Sequence, residues 1–286
     1  MNRVAVITVA HGRHTHLAGQ RATLAACAPP PDDHVIVAMD DPELVERGLA
    51  RVSVDRVRVH DDAESTVLPL AAARNRGAQE ALDRGADVLV FLDVDCLASR
   101  DLVAAYAEAV RLRPGVVWSG PVSYLPPAPE GGYDLGRLDD HDDPHPARPA
   151  PAPGELVLGA DPDLFWSLSF ACSAEAWHSV GGFCEDYVGY GGEDTDFARL
   201  VNHAGLGLGW TGSARAFHQW HPVSAPPVEH LEDIVRNANL FRERWGETPM
   251  EGWLREFRKQ GLVAGLTDGS WQVLKSDSGQ LRRRPA

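Results

Sequence analysis

Tyr187 to Leu200, YVGYGGEDTDFARL, sets the adjacent carboxylates Glu193 and Asp194 where a glycine-rich turn becomes a helix. A carboxylate at such a turn can take a proton from an attacking hydroxyl. Far upstream, Val90 to Cys96 (VFLDVDC) has the pattern of a buried strand ending in Asp93 and Asp95. In an extended segment side chains alternate, so Asp93 and Asp95 are expected to project to one side while Val94 faces the core. Such a pair can hold a divalent cation. Oxygen ligands suit Mg2+ or Mn2+, ions that complete their shells with substrate phosphates and water, which implies a diphosphate ligand. The alternative, two aspartates that cap the next helix, stays open at this point. Phe217 to Pro222 (FHQWHP) adds His218 and His221, whose imidazoles are compatible with Mn2+ or are a polar pair on a loop above Trp220. Two acidic sites with different jobs point to an enzyme.

The elements that must position these residues alternate between strand and helix. Val4–Val9 is a short apolar run, followed by a polar turn over His11–His16 and a helical stretch through Leu24. His34–Met39 is a second strand ending in Asp40 and Asp41, and Val52–Val59 alternates like a third. Leu70–Leu82 has helical spacing, with Pro69 suited to the first turn and Gly85 to the close; strand Val88–Leu92 follows. Ser99 is placed to cap a helix over Asp101–Arg113. This alternation predicts an α/β fold with a mainly parallel, doubly wound sheet, whose strand ends open onto the ligand crevice.

Ten of the chain's 21 prolines fall between Pro121 and Pro162, with the acidic run Asp139-Asp140-His141-Asp142-Asp143, so little regular structure is expected there, and the loop is either an acceptor-facing flap or a solvated surface excursion. His141 and His145 are read as incidental loop residues. Order returns at Ser173, a cap for a helix through Val180, and at the helix Glu193–His203 closed by Gly205. Leu231 to Trp245 keeps helical spacing, and Thr248-Pro249-Met250-Glu251 combines an N-cap, a first-position proline and a capping-box glutamate for another helix to about Gln260.

Composition narrows the function. The 286 residues are 44% hydrophobic, enough for a full core, and the net charge of −14 repels nucleic-acid phosphate and anionic lipid. No nucleic-acid partner is expected. Without an eighteen-residue apolar run or a signal-like N-terminus, the sequence predicts no transmembrane segment and a cytoplasmic protein. The four cysteines lack CxxC spacing and are expected as buried thiols.

Residues 74 to 97 (RNRGAQEALDRGADVLVFLDVDCL) and Gly181 to Leu200 (GGFCEDYVGYGGEDTDFARL) resemble the β-1,4-galactosyltransferase family and its bacterial relatives among the GT-A and family 2 glycosyltransferases. The family's NxGxQEAL helix, FxDVD strand, WGGEDDD acceptor turn and MxxH pair are matched by Asn75 to Leu82, Phe91 to Asp95, Tyr190 to Asp196, and His218 to His221. The resemblance implies a GT-A fold, a UDP-sugar donor with hexose (galactose, N-acetylgalactosamine or glucose), Mn2+ (or Mg2+) at the diphosphate, and inversion at the anomeric carbon. It also departs from the family: His218 stands for a methionine, and Val188 and Tyr190 stand for tryptophans.

Within that frame Asp194 is the expected general base, kept ionised by the helix dipole, and Glu193 fixes a donor or acceptor hydroxyl. Asp95, His218 and His221 are expected to hold the metal. Asp93 would steady the donor sugar or ribose, Arg13 of RHTHL would meet nucleotide phosphate, and Asp40 the uracil or ribose. Arg74 is either beside the diphosphate or in solvent. Asn75 and Gly192 complete the nucleotide-sugar set, and Tyr187 and Tyr190 the acceptor side. The expected plan is one GT-A domain over 1–275, with a nucleotide-sugar half to about 120, a proline-rich loop to about 165, an acceptor half with C-terminal helices, and a flexible tail over 276–286. The acceptor class stays open among a glycan, a lipid-linked saccharide, a peptide and a small metabolite. Two other readings compete: a nucleotidyltransferase, which leaves GGEDTD unexplained, and a nucleotide-sugar binding module without turnover.

Overall fold

The computed structural model describes residues 2–59 and 62–274. The tail expected over 276–286 lies outside the described residues. The described residues group into two compact units, residues 2–188 with 193–221 and residues 189–192 with 222–274.

The first unit opens with β1 (Val4–Ala10), α1 (His14–Ala26), β2 (Asp33–Met39) and α2 (Pro42–Glu46). β1 is buried along its whole length, as a continuous apolar run in a sheet covered on both faces must be. α1 begins inside the expected polar turn, with Arg13 in the left-handed region at φ 55 as its N-cap. The single strand expected over Val52–Val59 is two: β3 (Val52–Val54) pairs parallel with β2, and β4 (Val57–Val59) pairs antiparallel with β5 (Asp62–Val67). Between them the chain leaves the sheet edge, and Arg56 turns its Nε to Asp40 Oδ2 at 2.6 Å.

α3 (Leu70–Asp83) follows, its inner face built from Ala71, Ala73, Gly77, Ala78 and Ala81. A Cβ on Gly77 would lie 2.6 Å from Ile7 Cγ2 and 2.9 Å from Val37 Cγ2, so only glycine lets the helix approach β1 and β2 this closely. Next come β6 (Val88–Leu92), β7 (Cys96–Ala98), α4 (Leu102–Leu112), β8 (Val116–Ser119) and β9 (Val122–Tyr124). Ser99 does not cap α4. Its backbone carbonyl, rather than its hydroxyl, accepts from Leu102 N–H, and Asp101 occupies the N-cap position. The proline-rich segment, which also contains β9, adds the edge strand β10 (Leu156–Leu158) before β11 (Ser169–Ser173), α5 (Ala174–Val180), α6 (Glu193–His203), β12 (Gly207–Thr211) and β13 (Ala216–His218). Ser173 caps α5 as expected, accepting from Ala176 N–H.

Eight strands form the main sheet in the order β10-β12-β8-β11-β6-β1-β2-β3, and β7-β13-β9 form a second, three-stranded sheet. Pairs β3/β2, β2/β1, β1/β6 and β8/β12 are parallel, while β11 runs antiparallel between β6 and β8. Alternation along β1 and β6 splits their side chains between two cores: Ile7, Val9, Leu89 and Phe91 enter one, and Val4, Val6, Val88 and Val90 the other. Phe91 stacks on Phe170 at 4.5 Å and on Trp177 at 4.9 Å, which seals the sheet beneath the ends of β6 and β11. Cys27, Cys96 and Cys172 are buried thiols, and Cys184 is half-buried.

The second unit contains α7 (Leu231–Trp245), α8 (Glu251–Lys259) and the hairpin β14 (Val263–Gly265) with β15 (Trp271–Val273), around Ile234, Val235, Ala238, Leu254, Phe257 and Val263. The capping box expected at Thr248 does not form. α8 starts at Glu251, with Met250 at φ 55 as its N-cap and no side-chain cap. Packing overrides local chemistry here: Met250 joins this core, and its Sδ fills the space a side chain at Gly191 would need. Among the described residues no helix is long and apolar enough to cross a membrane.

Candidate active site

The DVD segment is not extended. β6 stops at Leu92, and Asp93 C=O accepts from Cys96 N–H at 2.8 Å, closing a turn before β7. Val94 joins a small cluster with Ala10, Leu17 and Ile36, as expected, but Asp93 and Asp95 meet different partners. The cause is α1, whose inward face carries His16, Gln20 and Thr23 at spacings of four and three. The fully buried Gln20 donates to the carbonyls of Asp93 (2.6 Å) and Cys96 (3.1 Å), Thr23 Oγ1 accepts from Ala98 N–H, and His16 Nδ1 lies 2.5 Å from Asp95 Oδ1. Sequence reasoning missed all three and left His16 at the end of a polar turn. Their signal was a polar stripe at helical spacing directly after a buried strand, which has the same appearance as a solvated face.

β13 completes the first cluster. Its antiparallel register with β7 sets His218 opposite Cys96, and Gln219 N–H donates to Asp95 C=O at 2.7 Å. One ligand atom each from Asp95, His218 and His221 then lie within 4.8 Å of one another. His221 Nε2 is 3.5 Å from Asp95 Oδ2, and Arg13 Nε is 3.7 Å from Asp95 Oδ1. One carboxylate and two imidazoles converging this closely fit a divalent cation, and the nitrogens favour Mn2+ over Mg2+. Burial pushes the His218 pKa down to about 4, with Asp95 opposing and His221 adding to the fall, so the ring is neutral and able to ligate. His218 also stacks on Tyr124, ring centroids 4.7 Å apart.

The second cluster is joined to the first by Arg74. It does not project into solvent: Arg74 is buried, with Nη1 donating to Glu193 Oε1 at 3.0 Å, Nη2 3.5 Å from Asp93 Oδ1, and its guanidinium over the Phe183 ring. Burial alone would lower its pKa, but Asp93 and Glu193 outweigh that and raise it. Asp93 moves up, because burial and the charge of Asp95 together exceed the pull of Arg74. Glu193 Oε2 is buried without a hydrogen-bond partner among the described residues.

Asp194 departs from expectation. Burial and then Glu193 push its carboxyl up to about 7, against the Thr195 N–H it accepts from, so the helix N-terminus does not keep it fully ionised at neutral pH. A dipole acting at the first turn is outweighed by desolvation and a like charge next door.

Other expected site residues fall elsewhere. Asn75 spends its amide on protein, donating to Phe183 C=O and Glu185 and accepting from Phe183 N–H, and so latches the 183–185 segment to α3. Tyr187 is 2% exposed and donates its hydroxyl to the buried Asp196, an internal contact rather than an acceptor-facing one. Asp40 stands at the end of β2 at φ 46 with its carboxylate on Arg56. Gly192 (φ 92) and Tyr190 belong to the second unit, where Tyr190 stacks on His230 at 4.5 Å.

Residues 163–222, which contain both the GGEDTD turn and FHQWHP, match the family model described as the N-terminal domain of galactosyltransferase. Two validoxylamine A glucosyltransferases, from Streptomyces hygroscopicus subsp. limoneus and subsp. jinggangensis (strain 5008), are each 29% identical over 262 residues, covering 83% of this chain. Those matches take in 56% and 60% of the relatives' own length. Among solved structures, GalNAc-T7 with UDP, GalNAc and Mn2+ is similar at a TM-score of 0.52 and 14% identity, over 91% of this chain and 57% of the other. The mannosyltransferase PcManGT from Pyrobaculum calidifontis, in complex with GDP-Man and Mn2+, has a TM-score of 0.50 at 19% identity, over 87% and 66%. The fold is that of the GT-A glycosyltransferases, and the galactosyltransferase match falls on the stretch that carries the second acidic turn and the histidine pair.

Proposed function

We propose that the protein is an inverting, metal-dependent glycosyltransferase that moves a hexose from a UDP-sugar to an acceptor hydroxyl. The observation that carries this reading is Arg74, buried between Asp93 and Glu193, which makes one site of the β6–β7 turn and the α6 N-terminus. The 29%-identical relatives named as glucosyltransferases put glucose beside galactose and N-acetylgalactosamine as the sugar to test.

Asp194 accepts the proton of the acceptor hydroxyl as that oxygen attacks the anomeric carbon from the face opposite the diphosphate. The new carbon–oxygen bond forms as the bond to the diphosphate oxygen breaks, its electron pair leaves with UDP, and the anomeric configuration inverts. A pKa raised to about 7 suits the task, since the carboxylate is basic enough to take the proton yet substantially ionised at neutral pH. Glu193, fixed by Arg74 through Oε1, offers its buried Oε2 to a sugar hydroxyl. Arg13, beside Asp95, is free to turn toward nucleotide phosphate. Asp95, His218 and His221 would hold a divalent cation, which when bound would supply charge neutralisation for the departing diphosphate.

The deciding experiment is UDP release from UDP-glucose, UDP-galactose and UDP-N-acetylgalactosamine, with and without Mn2+, with pooled glycan, lipid-linked, peptide and small-metabolite acceptors. Acceptor-stimulated, Mn2+-dependent release is expected for one donor. No release with any donor, while UDP still binds, would leave a binding module instead.

A further inference from the structure

Arg148 comes from the proline-rich segment, whose sequence left an acceptor-facing flap and a solvated surface excursion both open. It is 7% exposed, and its guanidinium lies over two indoles, 5.0 Å from the Trp166 ring centre and 4.7 Å from that of Trp210. Nε, Nη1 and Nη2 have no hydrogen-bond partner among the described residues. Indole faces stabilise the cation through its own face, but they do not accept the N–H groups, which point outward in the guanidinium plane. A buried charge with its whole donor edge unpaired is costly unless an acceptor arrives to meet it.

Its place in the fold says where that acceptor would come from. His218 of the cation-binding cluster stacks on Tyr124, Tyr124 meets His145 at 5.6 Å, His145 meets Trp166 at 5.1 Å, and Trp166 faces Arg148. One aromatic row thus runs from the cation cluster to Arg148. Burial lowers the Arg148 pKa to about 10, which leaves it protonated at neutral pH, and the Asp194 carboxylate is among the charges that act on it. An oxyanion, phosphate or carboxylate, is the ligand whose paired oxygens match the guanidinium fork.

We propose that Arg148 is a specificity-determining residue that holds an oxyanion, phosphate or carboxylate, carried by the acceptor molecule beside Asp194. The donor diphosphate is the other source of such a group, but its charge is already answered at Asp95, His218, His221 and Arg13. The acceptor role of Arg148 rests on the glycosyl-transfer reading; the oxyanion site does not.

The test uses the full chain, with inorganic phosphate as probe and tryptophan fluorescence as readout, because Trp166 and Trp210 flank the guanidinium. Saturable phosphate binding is expected in the presence of saturating UDP and Mn2+. Arg148→Met should weaken it about tenfold or more, with UDP–Mn2+ affinity held within about twofold. Arg148→Lys, which keeps the charge and most of the packing, should fall between the two and decides the matter if the methionine variant does not fold. A parallel loss of UDP–Mn2+ affinity would assign the oxyanion to the donor and overturn the acceptor role. Equal phosphate binding by wild type and variants, an adventitious ion only, or none by wild type, would make Arg148 a packing residue. Failure of the glycosyl-transfer reading shows separately, as no acceptor-stimulated UDP release from any donor, and leaves the phosphate titration interpretable.

Discussion

Asp194 sits where a helix dipole and a buried like charge pull in opposite directions, and the like charge with burial prevails, raising its pKa to about 7. The base must be deprotonated to act, so kcat/KM is expected to rise with pH through about 7 and to fall tenfold per pH unit well below it. A flat profile between pH 5 and pH 8 would remove this assignment. Asp194→Asn keeps the shape and loses the proton acceptor; UDP affinity should persist while kcat drops by roughly 10²- to 10⁴-fold. Near-normal turnover at saturating donor and acceptor would shift attention to Glu193. At the other cluster, Asp95→Ala should abolish Mn2+-dependent UDP binding while leaving the melting temperature close to wild type, since Asp95 is at a turn outside both sheet cores. Replacing His218 and His221 together should raise the Mn2+ requirement far more than His203→Ala at the end of α6. Equal effects in that titration would take the histidines out of the metal site.

At the scale of elements, three contacts convert an ordinary α/β layer into a site. α1 turns His16, Gln20 and Thr23 inward and holds the β6–β7 turn; α3 carries Arg74 to both acidic clusters; β13 lies against β7 so that His218 and His221 reach Asp95. Arg74 can sit where it does because Gly77, one turn on, lets α3 lie close on β1 and β2. Gly77→Val should therefore cost about 1–3 kcal/mol through overpacking against Ile7 and Val37, read as a lower urea midpoint. UDP affinity should weaken with it, because Arg74 moves with the helix. An unchanged midpoint would mean that the close approach is not needed.

For the whole molecule, the formal charge of −14 sets which partners are not expected to bind strongly. Phosphate polyanions gain nothing from a net anionic surface, so filter retention of single- or double-stranded nucleic acid at physiological salt should stay at background. Saturable retention would point to a local basic surface that dominates the overall charge. The phosphate the protein does hold is expected to be met locally, by a cation at Asp95, His218 and His221 and by Arg13 and Arg148, each in the first compact unit.

The chain's own order of residues determines the alternating strands and helices, the caps at Ser173 and Gly205, the two acidic turns and the histidine pair. These are signals read over a few neighbouring positions, where periodicity, glycine conformational freedom and capping act. Tertiary structure alone decided the rest. It bent DVD into a turn, bridged 119 positions to pair Arg74 with Glu193, buried Tyr187 against Asp196, and moved the start of α8 to suit Met250. It also decided which polar residues were internal, making His16 and Gln20 partners of the β6–β7 turn, Asn75 a latch and Arg148 a cation with no hydrogen-bond partner among the described residues. The physical reason is the same throughout: burial and partnership depend on what distant segments pack around a residue, and they set its ionisation and its free donors more strongly than its sequence neighbours do.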